Sequence, residues 1–170
     1  MPDVEEGEFR DYVEARMVSL RRSAYLICGD WHAAEDAVAV SLAKLYVHWA
    51  KARASTNLDA YVRRILMRSI VDEWRRPWRR ESPVEYVMST GAHPPPNEDR
   101  LLLMGVLAKM PPRRRAVLVL RFFEDLSVEE TAEALGINEG TVKSQTARGL
   151  AAMRELLPEE YAFRNGGHDA

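Results

Sequence analysis

The sequence is poor in cysteine and has no long apolar run. A single cysteine in 170 residues, Cys28, excludes an internal disulfide and a cysteine-rich zinc site. No apolar run approaches the roughly 20 residues that a membrane-spanning helix needs. The acidic N-terminus also lacks the basic-then-apolar order of a signal peptide. These absences predict a cytoplasmic protein that does not span a membrane.

Patterns typical of enzymes and metal sites are missing as well. His32, His48, His93 and His168 lack the spacing of metal ligands, and the sequence contains no phosphate-binding loop and no nucleophile–base arrangement. We therefore expect no catalytic residues, no metal and no cofactor. The net charge of −2 argues against a protein that coats nucleic acid indiscriminately.

Arginine is concentrated in a few places. Seven arginines lie in residues 60–80, against two acidic residues, and the run "DEWRRPWRR" at residues 72–80 carries four of them beside two tryptophans. A second cluster, at residues 113–115, follows two prolines. Basic patches on a near-neutral chain are typical of a protein that contacts a polyanion at chosen places, although a solvated helix face has the same composition.

Helical periodicity covers residues 9–76 and 98–157, with no convincing strand alternation. The intervening "ESPVEYVMSTGAHPPPN" contains four prolines and a glycine, which exclude one continuous helix. We predict an all-α fold with two small helical domains, residues 1–80 and 98–157. A proline-rich, extended linker (81–97) joins them, and a flexible tail (158–170) follows.

The second domain contains the pattern of a helix-turn-helix. Ser127 followed by Glu130 forms a capping box, Gly136 is placed to end that helix, and Asn138 can cap the next. On the second helix the inner face is apolar, and the outer face holds small and basic residues that suit a major groove. This outer face predicts DNA contacts from Lys143, Ser144, Ala147 and Arg148, whereas Gln145 lies at its edge.

Two helices of the first domain have unusual outer faces. The helix at residues 32–50 carries an apolar stripe opposite its core face, formed by Ala39, Val40, Ala43, Val47 and Ala50, which predicts burial on both sides or a protein partner. The helix at residues 58–76, which Thr56 or Asn57 can cap, carries Arg64, Arg68 and Arg75 on one flank, near aromatic residues. A basic stripe with aromatic rings is typical of single-strand binding.

The chain resembles the extracytoplasmic-function sigma factors of bacterial RNA polymerase, and most of all the actinobacterial sigma-E-type group. The resemblance covers residues 9–157. It is carried by "AEDAV" (34–38), "DAYVRRIL" (59–66), "VDEWRRPWRRE" (71–81), "MPPRRRAVLVLRFFEDLSVEETAEALG" (110–136) and "GTVKSQTARGL" (140–150).

The resemblance implies a promoter-specificity subunit that binds core RNA polymerase, reads a duplex minus-35 element and a minus-10 element, and promotes DNA melting. It assigns minus-35 reading to Lys143, Ser144, Ala147 and Arg148, and capture of a flipped minus-10 base to residues 53–58, with Asn57 preferred. The minus-10 side includes Arg64, Arg68, Arg75 and Arg76, and we expect Arg79 and Arg80 to hold duplex phosphates.

The resemblance also implies protein partners. The first domain would dock on the beta-prime clamp through Asp36, Ala39, Val40, Ala43 and Lys44, the second would rest on the beta flap, and an anti-sigma factor could hold the chain. Ala39 and Val40 replace the glutamine and acidic residue usual in the family, so clamp contact should depend on Asp36, Lys44 and apolar packing. Arg68 replaces a usual asparagine, which predicts an unusual minus-10 preference.

Two other classes fit some of these residues. A stand-alone helix-turn-helix regulator would bind duplex DNA without polymerase, but it leaves the first domain unexplained. An adaptor that binds polymerase without DNA would leave Lys143 and Arg148 unused.

Overall fold

The computed structural model describes residues 2–75 and 97–162. Across these two ranges the chain is helical and contains no strand, which confirms the predicted all-α class. The helices are α1 (Pro2–Cys28), α2 (Trp31–Val47), α3 (Trp49–Arg53), α4 (Leu58–Trp74), α5 (Glu98–Ala108), α6 (Pro112–Leu118), α7 (Val128–Leu135), α8 (Glu139–Leu156) and α9 (Glu159–Ala162). A π-helical turn, Val119–Phe123, continues α6.

Short polar side chains begin most of these helices. The side chains of Asn57, Asn97 and Asn138 each accept a hydrogen bond from the backbone N–H three residues on, at 3.0, 2.8 and 2.7 Å. Asp30 caps α2 in the same way. Each cap satisfies a backbone donor that the first turn leaves without a partner. Of the two caps open for α4, the structure selects Asn57.

The helix-turn-helix forms as predicted. Ser127 and Glu130 make both hydrogen bonds of the capping box, at 3.0 and 2.8 Å. Gly136 ends α7 in the left-handed conformation, with φ 66° and ψ 35°. Gly149 is needed for packing, because a Cβ there would lie 2.8 Å from the Leu118 side chain. The glycine therefore lets α8 approach α6 closely.

The first half is a small helical bundle. Helix α2 packs against α1 and α4, and Leu45, Trp49 and Val62 form a buried cluster. The Phe9 ring meets the Trp49 ring edge-on at 5.3 Å. Val38 and Leu45 of α2 are both buried, so this side of the helix faces the core.

The two halves share their largest core. One buried cluster joins residues of α1, α2 and α4 with residues of α5, α6, the π-helical turn and α7. Leu66 and Met67 of α4 lie in it together with Leu120 and Leu126. Helix α4 packs along α7. We call this packing of the two halves the closed arrangement. Helical periodicity in the sequence does not reveal this packing.

Three boundaries differ from the sequence-based expectation. Helix α2 ends at Val47, and Trp49 belongs to the separate short helix α3. Helix α4 ends at Trp74 with Arg75 as its cap, so Arg75 does not lie within the helix as predicted. The expected tail begins with α9, whose Tyr161 hydroxyl donates to Asp99 at 2.6 Å. Residues 76–96, which include nearly all of the linker, lie outside the described ranges.

Replacing Ser127 by alanine is expected to destabilise the second half, because the α7 N-terminus loses its side-chain cap. Such substitutions cost about 1 kcal/mol. The hydrogen bond that the Ser127 backbone N–H donates to the Glu130 carboxylate lowers the pKa of Glu130. This hydrogen bond therefore contributes to the free energy of unfolding at pH values above the ordinary glutamate pKa. The contribution is lost as the pH falls through the lowered pKa. Urea unfolding at neutral pH measures the loss, with the exposed Ser144→Ala on α8 as the control; equal midpoints for the two variants would contradict the capping role.

Candidate nucleic-acid interface

The outer face of α8 is exposed to solvent. Lys143, Ser144, Ala147 and Arg148 are all exposed, whereas Val142 and Gly149 on the inner face are buried. The Ser144 hydroxyl donates to the Thr141 carbonyl one turn back, at 3.1 Å. Small side chains between two long cations make a surface that enters a major groove and reaches bases and phosphates. The predicted inner and outer faces of this helix are confirmed.

Arg113, Arg114 and Arg115 of α6 have three different environments. Arg113 is exposed, and Arg114 Nε donates to Gln145 Oε1 at 3.1 Å, beside the α8 outer face. The Arg115 guanidinium lies over the α1–α2 turn, because a Cβ on Gly29 would be 2.9 Å from its Nη1. Burial lowers the pKa of Arg115. Arg115 is therefore a half-buried cation and does not lie on a fully solvated helix face.

The α4 arginines are divided in the same way. Arg68 and Arg75 are exposed. Arg64 is half-buried, and its Nη2 donates to the Glu133 carboxylate of α7. Arg76, Arg79 and Arg80 lie outside the described residues. The structure therefore brings together Arg64 and Arg68 at helical spacing, while Arg64 already has an anionic partner.

Asn57 has a structural role in addition to any contact that it makes with DNA. Its amide oxygen accepts the capping hydrogen bond of α4, which leaves the NH2 group and the second lone pair of that oxygen to meet a base. Tyr61 is half-buried against the Leu45–Trp49–Val62 cluster. The cap holds the loop before α4 in a defined position.

The apolar outer face of α2 stays uncovered. Ala39, Val40 and Ala43 are exposed, and the Val47 side chain is 75% exposed. Lys44 lies beside them, with Nζ 3.4 Å from Ser69 Oγ. Asp36, Val40 and Lys44 line a groove of about 400 Å³ between α2 and α4. Of the two explanations for this stripe, burial on both sides is wrong and a protein partner remains.

Sequence periodicity missed an apolar groove on the second half. Phe122 and Phe123 are exposed and border a groove of about 250 Å³ with Leu103, Leu107 and Met153. They extend outward because the π-helical turn adds a residue to the helical repeat. The sequence signal that could have indicated this groove is the pair of adjacent phenylalanines that follows a basic helix. Such a groove is suited to an apolar protein segment.

Arg63 and Glu124 were missed too. Neither residue belongs to a site predicted from the sequence, yet Arg63 Nη2 lies 3.7 Å from Glu124 Oε2 across the two halves. The Ser23 hydroxyl donates to the other Glu124 oxygen. A carboxylate so far along the chain has no sequence signal that links it to α4.

Cys28 is a half-buried free thiol. Burial raises its pKa to about 12, which keeps it protonated and unreactive at neutral pH. Within residues 2–75 and 97–162, no group of three His, Cys, Asp or Glu side chains could hold a metal ion. Searched over the same residues, none of the helices has the length and apolar character of a membrane span.

The fold and the exposed α8 face define a helix-turn-helix protein of the DNA-binding class. Residues 12–80 match the family model of sigma-70 region 2, and residues 100–153 match that of sigma-70 region 4. The chain is 39% identical over 152 residues to the RNA polymerase sigma-E factor of Streptomyces coelicolor, covering 88% of this chain and 86% of that protein. It is 27% identical over 139 residues to the sigma factor SigM of Mycobacterium tuberculosis, covering 81% and 71%.

A solved structure has the same fold. The sigma factor RpoE of Bartonella quintana, in complex with the anti-sigma factor NepR, superposes with a TM-score of 0.70 at 23% identity, covering 88% of this chain and 96% of that one. The chain belongs to the sigma-70 family and is an extracytoplasmic-function sigma factor of the actinobacterial sigma-E type. It is a promoter-recognition subunit, and thus a DNA-binding regulatory protein.

Proposed function

We propose that the outer face of α8 reads the duplex minus-35 element. The observation that carries the proposal is the exposure of Lys143, Ser144, Ala147 and Arg148 on a helix whose opposite face is buried, inside the segment matched to sigma-70 region 4. Lysine and arginine contact guanine edges or phosphates, and Ser144 and Ala147 permit close approach.

The minus-10 element is assigned to α4 and the loop before it. Arg68 and Arg75 are exposed, and Arg64 joins them at helical spacing. Asn57, at the start of the same helix, is placed to contact a flipped base through its free NH2 group. Base capture offsets the few kcal/mol that unstacking costs and so promotes melting. Arg76, Arg79 and Arg80 follow α4 in the sequence and are assigned to the same function.

Core RNA polymerase is the proposed protein partner. The uncovered α2 face, with Asp36, Ala39, Val40, Ala43 and Lys44, would dock on the beta-prime clamp. The groove at Phe122 and Phe123 would rest on the beta flap. An anti-sigma factor is the other proposed partner, since two uncovered apolar surfaces give such an inhibitor places to bind. The domain limits 1–80 and 98–157 belong to the same proposal.

The chain acts in this proposal without catalysis and without a cofactor. It lends two DNA-reading helices to a polymerase that carries the active site, and it works in the cytoplasm beside that enzyme. The absent nucleophile and phosphate-loop motifs support this view.

Reconstituted transcription tests the proposal. We expect core polymerase with this protein to give promoter-dependent transcripts from genomic fragments, whereas core polymerase alone gives none. Sequencing the transcript starts would define the promoter. If a control sigma factor gives transcripts and this chain gives none, the proposal is rejected. If the chain binds promoter DNA in a gel shift as tightly without polymerase as with it, a stand-alone regulator is favoured.

A further inference from the structure

The loop between α3 and α4, residues 54–57, is tied to helix α1 at its first end. Helix α3 ends at Arg53, whose Nη1 lies 2.8 Å from Glu8 Oε2 and 3.6 Å from Glu5 Oε1. The three side chains are 38–48% exposed, and ion pairs so exposed contribute little to stability. The main effect of this cluster is therefore to hold the start of the loop against α1.

The second end of the loop is tied to the same helix. Asp59, in the first turn of α4, accepts hydrogen bonds from the Tyr12 hydroxyl at 2.9 Å and from Arg16 Nη2 at 2.7 Å. Burial, together with the Asp59 carboxylate, raises the pKa of Tyr12, so the hydroxyl keeps its proton at neutral pH. The Tyr12 ring also lies 5.7 Å from the ring of Trp49, the first residue of α3. One tyrosine thus contacts both helices that flank the loop.

The four residues of α1 that make these contacts share one face of the helix. They are separated by three, four and four positions, which places their side chains in one row along α1. The row is about 16 Å long. We call it the α1 stripe, and it consists of Glu5, Glu8, Tyr12 and Arg16. None of the four belongs to a site predicted from the sequence.

The tied loop carries the residue proposed to capture a base. Asn57 and its neighbour Thr56 are exposed. The capping hydrogen bond from the Ala60 N–H fixes Asn57 relative to α4 only. The α1 stripe fixes both ends of the loop relative to the rest of the bundle. Such support matters because a contacting group must lie within about 0.5 Å of its productive position, and a loop that is already ordered avoids the entropy cost of ordering on binding.

We propose that the α1 stripe is the positioning element of the base-capturing loop, with its carboxylates holding Arg53 and its tyrosine and arginine holding Asp59. The inference rests on the proposed function and adds four positioning residues that do not themselves touch DNA. Arg53 is also a positioning residue, because its guanidinium is committed to α1. Asn57 then meets the flipped base from a fixed place, and this place determines how well the loop distinguishes one base from another.

The first test releases Asp59. Tyr12→Phe with Arg16→Gln removes both donors and keeps two side chains of similar size. The measurement is binding of the holoenzyme to single-stranded non-template oligonucleotides that carry the minus-10 element of a promoter defined by transcript mapping, with each base placed in turn at each position. We expect the wild type to prefer one base at the captured position by about 10-fold or more, and the double variant by about 3-fold or less. Affinity for a scrambled oligonucleotide should change less than about twofold, because the phosphate contacts are kept.

Tyr25→Phe with Arg22→Gln is the matched control. It makes the same two changes on the same helix, and Tyr25 lies about 20 Å beyond Tyr12 along α1. Arg22 is exposed, and a phenylalanine at position 25 can still stack on Trp31. The control should prefer the captured base as strongly as the wild type. Thermal unfolding followed by circular dichroism reports the stability of both double variants.

A charge exchange tests the other end of the loop. Arg53→Glu should reduce the base preference to about 3-fold or less, because Glu5 and Glu8 then repel the new carboxylate. Glu8→Arg added to Arg53→Glu restores an ion pair of reversed direction and should recover most of the preference. If Arg53 contacted DNA itself, the exchange would leave the preference lost.

Each result decides the inference. An unchanged base preference in Tyr12→Phe/Arg16→Gln would overturn it, even if the unfolding temperature falls, because that is the result of a merely structural role. An equal loss in the control, or a charge exchange that recovers nothing, would overturn it as well. Promoter-dependent transcription by the wild-type holoenzyme decides the proposed function independently. A working holoenzyme whose base preference no variant alters would reject the α1 stripe alone.

Discussion

Replacing Lys143 and Arg148 by alanine is expected to reduce promoter-dependent transcription by about 30-fold or more. Each base or phosphate contact of this kind contributes about 1–3 kcal/mol, and a change of about 1.4 kcal/mol is tenfold in affinity. Both side chains are exposed, so their removal should leave folding unchanged. Holoenzyme binding to its promoter, measured across a range of salt concentrations, should show a lower slope as well.

Lys109→Ala with Arg154→Ala is the matched control for this pair. It removes one exposed lysine and one exposed arginine, so the net charge changes equally. Lys109 caps the end of α5, and Arg154 lies in the last turn of α8, about 16 Å along the helix from Lys143. Equal losses in both double variants would mean that general charge, and not the proposed reading face, accounts for DNA binding.

A carboxylate in the apolar stripe of α2 should abolish assembly with polymerase. Ala43→Asp is expected to weaken binding to core polymerase by about 100-fold or more, since an unpaired buried charge costs several kcal/mol. Ala43 is exposed in the unbound chain, so the chain should tolerate the change. Competition against a labelled sigma factor for core polymerase measures the loss.

Ala15→Asp provides the matched control for Ala43→Asp. Ala15 is an exposed alanine on α1 and does not line the α2 groove. The control introduces the same charge and should compete as well as the wild type. Duplex DNA binding by the isolated Ala43→Asp chain should also be retained. Strong competition by Ala43→Asp would exclude the α2 face as the clamp surface.

The features predictable from sequence are those that local chemistry decides. Ser127 with Glu130, Gly136 and Asn138 act through hydrogen bonds and backbone angles within a few residues, and each takes its predicted place. The inner and outer faces of α8 follow from helical periodicity alone. The same reasoning found the unpartnered face of α2, because an apolar stripe opposite a core stripe is visible in any helical projection.

The features missed depend on contacts between distant parts of the chain. The Arg64–Glu133 pair joins residues 69 positions apart, and periodicity has no information about such pairing. Phe122 and Phe123 were missed because a π-helical turn breaks the 3.6-residue repeat used to sort faces. The predicted end of α4, residue 76, lies one to two residues beyond the observed end at Trp74 and its cap Arg75. Pro77 disfavours a helical conformation at the residue before it, but it does not determine where the last helical hydrogen bond forms.

The closed arrangement is an intramolecular contact, so its strength does not depend on protein concentration. The undescribed connection of 21 residues, 76–96, spans at most about 70 Å, and tethers of this kind give effective concentrations on the order of millimolar. Dilution cannot open such a chain, whereas a bound partner that prefers the open form can. A partner that binds only the open form would bind the free chain with its intrinsic affinity multiplied by the open fraction.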